Sequence, residues 1–188
     1  MKVLGIMGSP RIKSNTDLLL DKALEGAKSA GAEVEKIIVD KLNIAPCKEY
    51  YGCLKDGNCV IRDDMDDIYP KLLSAERVII ASPMFFYGLS AQIKALIDRC
   101  QALWSRKYVL KWQMPDSGRK GAFIAVGATQ GKQLFDGSIL TIRYFFKALN
   151  MAYAEELLVR GVDTKGEIKN HPTALADAFE LGKRLVQN

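Results

Sequence analysis

The turn that leads from a first apolar run into a first helix decides the fold of this chain. It reads Val3-Leu4-Gly5-Ile6-Met7-Gly8-Ser9-Pro10-Arg11-Ile12-Lys13-Ser14-Asn15-Thr16. The run from Val3 to Met7 is short and apolar, which predicts a β-strand. Residues 14–16 are of the types that cap helices, and leucines and alanines recur at helical spacing from there until Gly31. The sequence therefore predicts a strand, a loop and a helix in succession, the first half of a βαβ unit.

The loop between that strand and that helix predicts an anion site. A helix N-terminus offers free N–H groups and the positive end of its dipole, and Arg11 adds a charge. Ser14, Asn15 and Thr16 are also explained by capping alone, but capping leaves Ser9 and Arg11 unexplained. The loop contains neither the glycine pattern of dinucleotide-binding turns nor the Gly-Lys-Ser/Thr of P-loops. A hydroxyl-rich loop suits a terminal monoester phosphate such as that of FMN, which donors can surround on several sides.

Four further apolar runs alternate with helical patterns along the rest of the chain. The predicted strands cover Val34–Val39, Arg77–Ala81, Ala122–Val126 and Glu156–Arg160. The predicted helices run from Asp63 or Asp64 to Ser74, and over Ser90–Leu103, Leu134–Leu149 and Thr173–Val186. This alternation predicts a single domain over residues 1–188, an α/β three-layer doubly wound sandwich with a five-stranded parallel sheet. Whether the strand order is flavodoxin-like or Rossmann-like, the ligand binds beyond the carboxyl ends of the strands.

The composition is ordinary for a globular protein, with 48% hydrophobic and 26% charged residues. No apolar run approaches the roughly 20 residues that span a bilayer. The N-terminus reaches Gly8 and Ser9 too early for a signal peptide, so we expect a cytoplasmic protein with no membrane partner. The 27 basic and 22 acidic residues are dispersed. The most basic stretch, Arg106 to Lys120, favours a solvated loop or a contact with a neighbouring subunit over nucleic-acid binding.

A second informative segment follows the third predicted strand. It reads Ser82-Pro83-Met84-Phe85-Phe86-Tyr87-Gly88-Leu89-Ser90-Ala91-Gln92-Ile93-Lys94-Ala95-Leu96-Ile97-Asp98-Arg99. Three consecutive aromatic residues on a loop at a strand end cannot all face one core, so at least one should face a ligand or a partner. The flat isoalloxazine ring of a flavin needs an apolar wall and backbone N–H groups directed at its polar edge, and residues 83–88 can supply both.

Together with the Gly-Ser-Pro-Arg…Ser-Asn-Thr loop, this segment resembles the NAD(P)H-dependent FMN reductase family and its iron–sulfur flavoprotein branch, over nearly the whole chain. The resemblance implies a flavodoxin-like strand order of 2-1-3-4-5, FMN as cofactor, NAD(P)H as electron donor and a homodimer or homotetramer. It also implies that the FMN phosphate is held by Ser9, Arg11, Ser14, Asn15 and Thr16, and the ring by Pro83, Met84, Phe85, Phe86, Tyr87 and Gly88. Topology further predicts a third contact from Gly127, Ala128 and Thr129.

Three cysteines, Cys47, Cys53 and Cys59, lie in one loop after the second strand. Their spacing resembles the four-cysteine motif of iron–sulfur flavoproteins, with Tyr50 at the second ligand position. A 4Fe-4S cluster normally takes four thiolates. Three interpretations stay open: a cluster with an open or non-cysteine fourth site, a metal-free remnant loop, or a redox-active thiol pair. The remnant loop is favoured because losing a ligand usually lowers cluster affinity. Zinc is disfavoured by the lack of a Cys-x-x-Cys pair.

Two other sequence features are explained by structure rather than by chemistry. Cys100 and Arg106 have the Cys-x5-Arg spacing of tyrosine phosphatases. A phosphatase loop needs its cysteine at a strand end among free amides, whereas Cys100 is predicted inside the third helix, so a buried helical thiol is the better interpretation. The only histidine, His171, precedes Pro172, where a capping or surface role is expected.

The sequence thus predicts an FMN-dependent oxidoreductase. FMN is expected to receive a hydride from NADH or NADPH and to deliver electrons to a quinone, a free flavin or another redox protein. No catalytic side chain is predicted, because the cofactor carries the chemistry and the protein sets its position and potential. Two alternatives remain: an iron–sulfur flavoprotein that exchanges electrons with ferredoxin, and a non-catalytic FMN-binding electron carrier.

Overall fold

The computed structural model describes residues 1–115 and 118–187. Its centre is one parallel sheet made of β1 (Lys2–Met7), β2 (Glu33–Ile38), β3 (Arg77–Pro83), β4 (Lys120–Gly127) and β5 (Ala152–Arg160). The strands lie in the order β2-β1-β3-β4-β5. The predicted three-layer, flavodoxin-like sheet of order 2-1-3-4-5 is therefore confirmed.

Each of the five predicted strands is present, with shifted ends. Val39, predicted as the last residue of the second strand, instead begins a 3-10 turn, Val39–Lys41. β5 begins at Ala152 rather than at the predicted Glu156. The start was missed because β5 is an edge strand whose exposed and partly buried residues alternate, so its first half contains no apolar run. β3 and β4 are buried along almost their whole length, as central parallel strands must be.

Helices cover both faces of the sheet. They are α1 (Asn15–Ser29), α2 (Cys53–Asp56), α3 (Met65–Ser74), α4 (Ala91–Arg99), α5 (Gln101–Tyr108), α6 (Asp136–Ala148) and α7 (Ala174–Gln187). A second 3-10 turn covers Glu167–Asn170. Within the two described ranges, no helix has the length and apolar character needed to cross a bilayer.

The prediction of one continuous third helix over Ser90–Leu103 was wrong. The chain forms α4 and α5, which meet at Cys100, where the backbone N–H still bonds back to Leu96 and Ile97. Neither glycine nor proline marks this break, so the sequence pattern did not reveal it. Cys100 therefore lies at a helix junction rather than inside a helix, but its thiol is buried as predicted. Burial also raises the pKa of that thiol far above its ordinary value.

Alternating strand residues divide the core into two layers. On one face, Val78 and Ile80 of β3 pack with residues of α3, α4 and α6. On the other, Ile79 and Ala81 pack with α1 and α7. Successive side chains of a strand point to opposite faces, so a run that is apolar throughout requires helices on both sides.

α1 and α7 approach each other through two glycines. A Cβ at Gly26 would lie 1.9 Å from the carbonyl oxygen of Phe179, and one at Gly182 would lie 1.8 Å from that of Ala23. Real Cβ atoms do not come within 3.0 Å of such atoms, so both positions require glycine at this spacing. The contact fixes α7 against the helix that begins at the predicted anion loop.

The basic stretch from Arg106 to Lys120 is only partly the solvated loop that was expected. Arg119 is buried, and its guanidinium donates to the carbonyl oxygens of Leu72, Ala75 and Leu149 near the C-terminal ends of α3 and α6. Arg106 donates to the carbonyl of Gly57 and stacks on Trp112. These cations serve intramolecular contacts. Residues 116 and 117 lie outside the described residues.

Candidate functional site

A cavity of about 140 Å³ lies at the carboxyl ends of β1, β3, β4 and β5. It is bounded by four segments, and the residues that line it are Ser9, Arg11, Ser14, Asn15, Thr16, Pro83, Met84, Phe85, Val126, Gly127, Ala128, Val162, Asp163 and Lys165. Ten of the fourteen residues predicted to bind the cofactor are among them. Phe86, Tyr87, Gly88 and Thr129 are not. The strand order places this cavity where doubly wound sheets bind their ligands.

The N-terminus of α1 forms one wall of the cavity. Ser14 caps the helix, since its Oγ accepts a hydrogen bond from the N–H of Asp17 at 3.3 Å. The Ser14 Oγ and the Thr16 Oγ1 lie 3.2 Å apart, and Ser9 and Thr16 are buried beside them. Among the described residues, no protein acceptor pairs with the backbone N–H groups of Ser14, Asn15 and Thr16. Unpaired donors at a helix start are the means by which proteins hold phosphates.

Positive charge surrounds this wall. Arg11 and Lys165 line the cavity, and neither forms an ion pair within the described part of the chain. The nearby carboxylate of Asp17 is buried and already neutralised, because it bonds to the Lys36 ammonium and accepts from the Lys13 N–H at 2.6 Å. Burial works against the Lys36 charge, but the hydrogen bonds from Lys36 to its carboxylate partners raise its pKa overall. The wall therefore favours an anionic ligand.

The side chain of Asn15 is hydrogen-bonded within the protein. Its side-chain Nδ2 donates to the Thr164 carbonyl at 3.0 Å, and its Oδ1 accepts from the Ile168 N–H at 3.2 Å. The amide therefore holds the loop that follows β5. At the cavity, Asn15 offers its backbone N–H, and its Nδ2 keeps a second hydrogen beyond the one donated to Thr164.

The loop held by Asn15 contributes residues that the sequence analysis missed. Val162, Asp163 and Lys165 line the cavity, and the Glu167 carboxylate accepts from the N–H groups of Asp163 and Thr164. No motif marks these positions. The available signal was topological, because the carboxyl end of β5 must lie at the same edge of the sheet as those of β1, β3 and β4.

The opposite wall is the end of β3. The Met84 N–H donates to the Val126 carbonyl at 2.9 Å, which holds this segment beside β4. Ser90 connects the two walls, because its Oγ donates to the Gly8 carbonyl at 2.6 Å and also accepts from the Ile93 N–H as the cap of α4. Ser82 Oγ accepts from the Ser90 N–H at 3.1 Å. The wall that faces the ligand is therefore fixed relative to the anion loop.

A tight hairpin projects from this wall. Phe85 and Gly88 exchange two backbone hydrogen bonds of 3.0 and 2.9 Å. Between them, Phe86 and Tyr87 have φ values of 50° and 61°, which bulky residues adopt at a cost of about 1–3 kcal/mol each. Phe86 is fully exposed, while the Tyr87 ring packs against Gly131, where a Cβ would meet its hydroxyl at 2.2 Å. Strain of this kind is concentrated at ligand sites.

The cavity accommodates only part of a flavin nucleotide. Its volume of about 140 Å³ is below the 300–1,000 Å³ that is typical of small-molecule sites. The buried donors match the phosphate, and the exposed hairpin of residues 85–88 offers an apolar surface where the ring would extend. The residues present therefore fit FMN with its phosphate inside and its ring toward the hairpin.

A larger cavity, of about 400 Å³, lies beside the three-cysteine loop. Cys47, Cys53, Cys59 and Tyr50 all line it, and all four cysteines of the chain are free thiols. The pKa of the Cys53 thiol is raised by partial burial and by the neighbouring Cys59 and Cys47 thiols. Within residues 1–115 and 118–187, no three His, Cys, Asp or Glu side chains are arranged to hold a metal ion. The three thiols do not fit a 4Fe-4S cluster, which takes four thiolates.

His171 has the expected capping role. Its Nδ1 accepts from the Ala174 N–H at 3.1 Å and from the Thr173 N–H at 3.4 Å, at the start of α7. It lies on the face of the sheet occupied by α7 and does not line either cavity.

The doubly wound sheet, its strand order and the anion cradle at its first crossover define a flavodoxin-like protein. Residues 1–156 match the family described as NADPH-dependent FMN reductase, and the chain belongs to that family.

Relatives of this chain include iron–sulfur flavoproteins of two archaea. One, from Methanocaldococcus jannaschii, is 35% identical over the whole of this chain and 96% of its own length. Another, from Methanosarcina thermophila, is 38% identical over 69% of this chain and 65% of its own length. The NAD(P)H:quinone oxidoreductase of Methanothermobacter marburgensis has a similar fold, with a TM-score of 0.77 and 15% identity over 98% of this chain and 96% of that one.

Proposed function

We propose that this flavin-dependent oxidoreductase binds FMN in the 140 Å³ cavity, with the phosphate at the start of α1 and the ring along the Phe85–Gly88 hairpin. The proposal depends on one observation: the start of α1 and the end of β3 line the same cavity. Unpaired N–H groups and Arg11 face a buried space on one side, and a strained apolar hairpin lies on the other.

Each wall has a distinct task. Ser9, Ser14 and Thr16 supply hydroxyl groups and the α1 backbone supplies N–H groups for the phosphate, while Arg11 and Lys165 balance its charge. Pro83, Met84 and Phe85 form the apolar floor under the ring, with Gly127 and Ala128 beside it. A side chain at Gly127 would collide with Leu134 at 2.7 Å, so the close approach of β4 to this floor depends on glycine.

Bound FMN supplies the redox chemistry, and we propose that NADH or NADPH reduces it and that a quinone, a free flavin or another redox protein reoxidises it. The family description supports a nicotinamide donor. Hydride transfer requires positioning rather than an acid or a base from the chain, and the exposed hairpin leaves one side of the ring region open to a donor. We propose no catalytic side chain.

The oligomeric assembly of the protein is part of the same proposal. Phe85, Phe86 and Tyr87 are all exposed beside the cavity. This apolar patch supports a homodimer or homotetramer in which a second copy packs against the hairpin, because contiguous exposed apolar patches mark interaction surfaces. A cytoplasmic location, with neither nucleic acid nor membrane as a partner, stays a prediction of the sequence.

Flavin titration and anaerobic reduction test the proposal in two steps. Apoprotein is titrated with FMN, and binding is followed by the change in flavin fluorescence. NADH or NADPH is then added without oxygen, and the loss of the oxidised-flavin absorbance is recorded. Failure to bind FMN would overturn the cofactor assignment. Bound FMN that remains oxidised with both donors would overturn the nicotinamide dependence and favour a non-catalytic carrier.

A further inference from the structure

Hydrogen bonds from two helices hold the three-cysteine loop. Arg99 donates to the carbonyls of Ala45 at 2.9 Å and Ile61 at 3.1 Å, at the two ends of the loop, and it also pairs with Asp63. Both partners of this ion pair are almost completely buried. In the middle of the loop, the Ser105 Oγ donates to the Cys53 carbonyl at 2.6 Å. The loop is therefore fixed to α4 and α5 by its own hydrogen bonds.

The backbone around Tyr50 has an unusual shape. Glu49 and Tyr51, its two neighbours, have φ values of 53° and 57°, a left-handed conformation that residues other than glycine seldom adopt. Such strained residues persist only where the surrounding structure enforces them. All of residues 47–53 line the 400 Å³ cavity, so the strained backbone lies at its wall.

Tyr50 occupies the middle of an evenly spaced set. Cys47, Tyr50 and Cys53 are each three residues apart, and Cys59 follows. Cys-x2-Cys-x2-Cys is the spacing with which ferredoxins hold a 4Fe-4S cluster. A phenol is an oxygen donor, whereas iron–sulfur clusters select soft thiolates. The loop therefore has the spacing and the cavity of a cluster site but only three of its four donors.

We propose that Tyr50 determines the cofactor content of this protein. With tyrosine at position 50, the chain does not retain a 4Fe-4S cluster, although it descends from the same family as iron–sulfur flavoproteins. Tyr50→Cys supplies the fourth thiol that the ligand set lacks, and this variant gains a stable cluster. This inference does not rest on FMN binding, because the iron content of the protein is measured separately from its flavin content.

Reconstitution compares the natural chain with Tyr50→Cys. Both are purified without oxygen, incubated with ferrous iron, sulfide and a thiol reductant, and desalted. Iron and acid-labile sulfide are then measured per chain, and the reduced proteins are examined by electron paramagnetic resonance. We expect well below one iron in the natural chain and about four irons and four sulfides in Tyr50→Cys.

Matched variants test whether position 50 is responsible. Tyr51→Cys adds a thiol to the same cavity out of register, and it should gain no cluster. Tyr50→Cys combined with Cys53→Ser restores a three-thiol set and should lose the cluster again. Tyr50→Ser removes the phenol without adding a thiol and should behave as the natural chain. Circular dichroism and flavin content show whether each variant is folded.

Two results would overturn the inference. One is a natural chain that keeps about four irons after desalting, since three thiols would then suffice. The other is a folded Tyr50→Cys protein that gains no more iron than Tyr51→Cys, which would show that the loop is not a cluster cradle.

Discussion

Replacing Lys165 should weaken the binding of FMN without weakening that of riboflavin. Lys165 lines the cavity and forms no ion pair among the described residues. Two unit charges 4 Å apart interact by about 1 kcal/mol in water and by about 4 kcal/mol at the dielectric of a protein surface. Since Lys165 is exposed, the lower figure applies, and about 1 kcal/mol corresponds to roughly a fivefold weaker affinity. Riboflavin lacks the phosphate and should bind equally to both proteins.

The assay is a flavin titration of the natural protein, Lys165→Ala and Lys169→Ala with FMN and with riboflavin. Lys169 lies on the adjacent 3-10 turn and does not line the cavity, so it controls for a general loss of positive charge. The effect of Lys165→Ala should shrink as salt is added, because salt screens exposed charges. Asp163, on the same rim, provides a test of opposite sign, and Asp163→Asn should tighten FMN binding.

Equal weakening of FMN and riboflavin in Lys165→Ala would refute this reasoning, since the loss would then come from the shape of the loop rather than from charge. An unchanged FMN affinity would also refute it. Neither result would affect the proposal that FMN binds at this site, which depends on the natural protein alone.

Asn15→Ala removes two hydrogen bonds to the loop after β5, so the free energy of unfolding should fall by about 1–3 kcal/mol in denaturant titrations, and hydrogen exchange should quicken in residues 162–168. Gly182→Ala places a Cβ 1.8 Å from the Ala23 carbonyl, and it should lower Tm by several degrees although alanine favours helices; an unchanged Tm would contradict the tight contact. Asp63→Asn should destabilise the protein by about 3 kcal/mol at neutral pH. Burial opposes ionisation of Asp63, but its hydrogen bonds to Arg99 and backbone N–H groups lower its pKa overall, so this stabilisation is present above about pH 4 and is lost as the pH falls through the folded-state pKa. The Tm difference between Asp63→Asn and the natural protein should therefore vanish in acid, and a constant difference would contradict the assignment.

The sheet could be predicted from the sequence because its central strands are short, mostly apolar runs. The buried runs at β1, β3 and β4 are mostly apolar on both faces, which is typical of central parallel strands. The edge strand β5 was found only in its second half, since an edge exposes alternate residues. The break between α4 and α5 was missed because Cys100 ends a helix without a glycine or a proline.

The candidate site was predicted where short-range patterns define it. The α1 N-terminus and the end of β3 each carry their signal within a few consecutive residues, and ten of the predicted residues share one cavity. Lys165 was missed because its position depends on a long-range contact. Its neighbour Thr164 accepts a hydrogen bond from Asn15, which lies 149 positions earlier in the chain. The tether made by the Asn15 side chain was missed for the same reason, since residue type alone does not reveal a contact with a distant loop.

Ser90 caps the start of α4 and Arg99 ends it. One end of this helix therefore lies at the candidate FMN cavity, and the other end holds the three-cysteine loop. Nine residues of helix span about 14 Å, and each residue also rotates the chain by about 100° around the helix axis. Adding or removing a single residue in α4 would thus change both the separation and the relative orientation of the two centres. The length of α4 therefore sets the distance between the two regions of this chain.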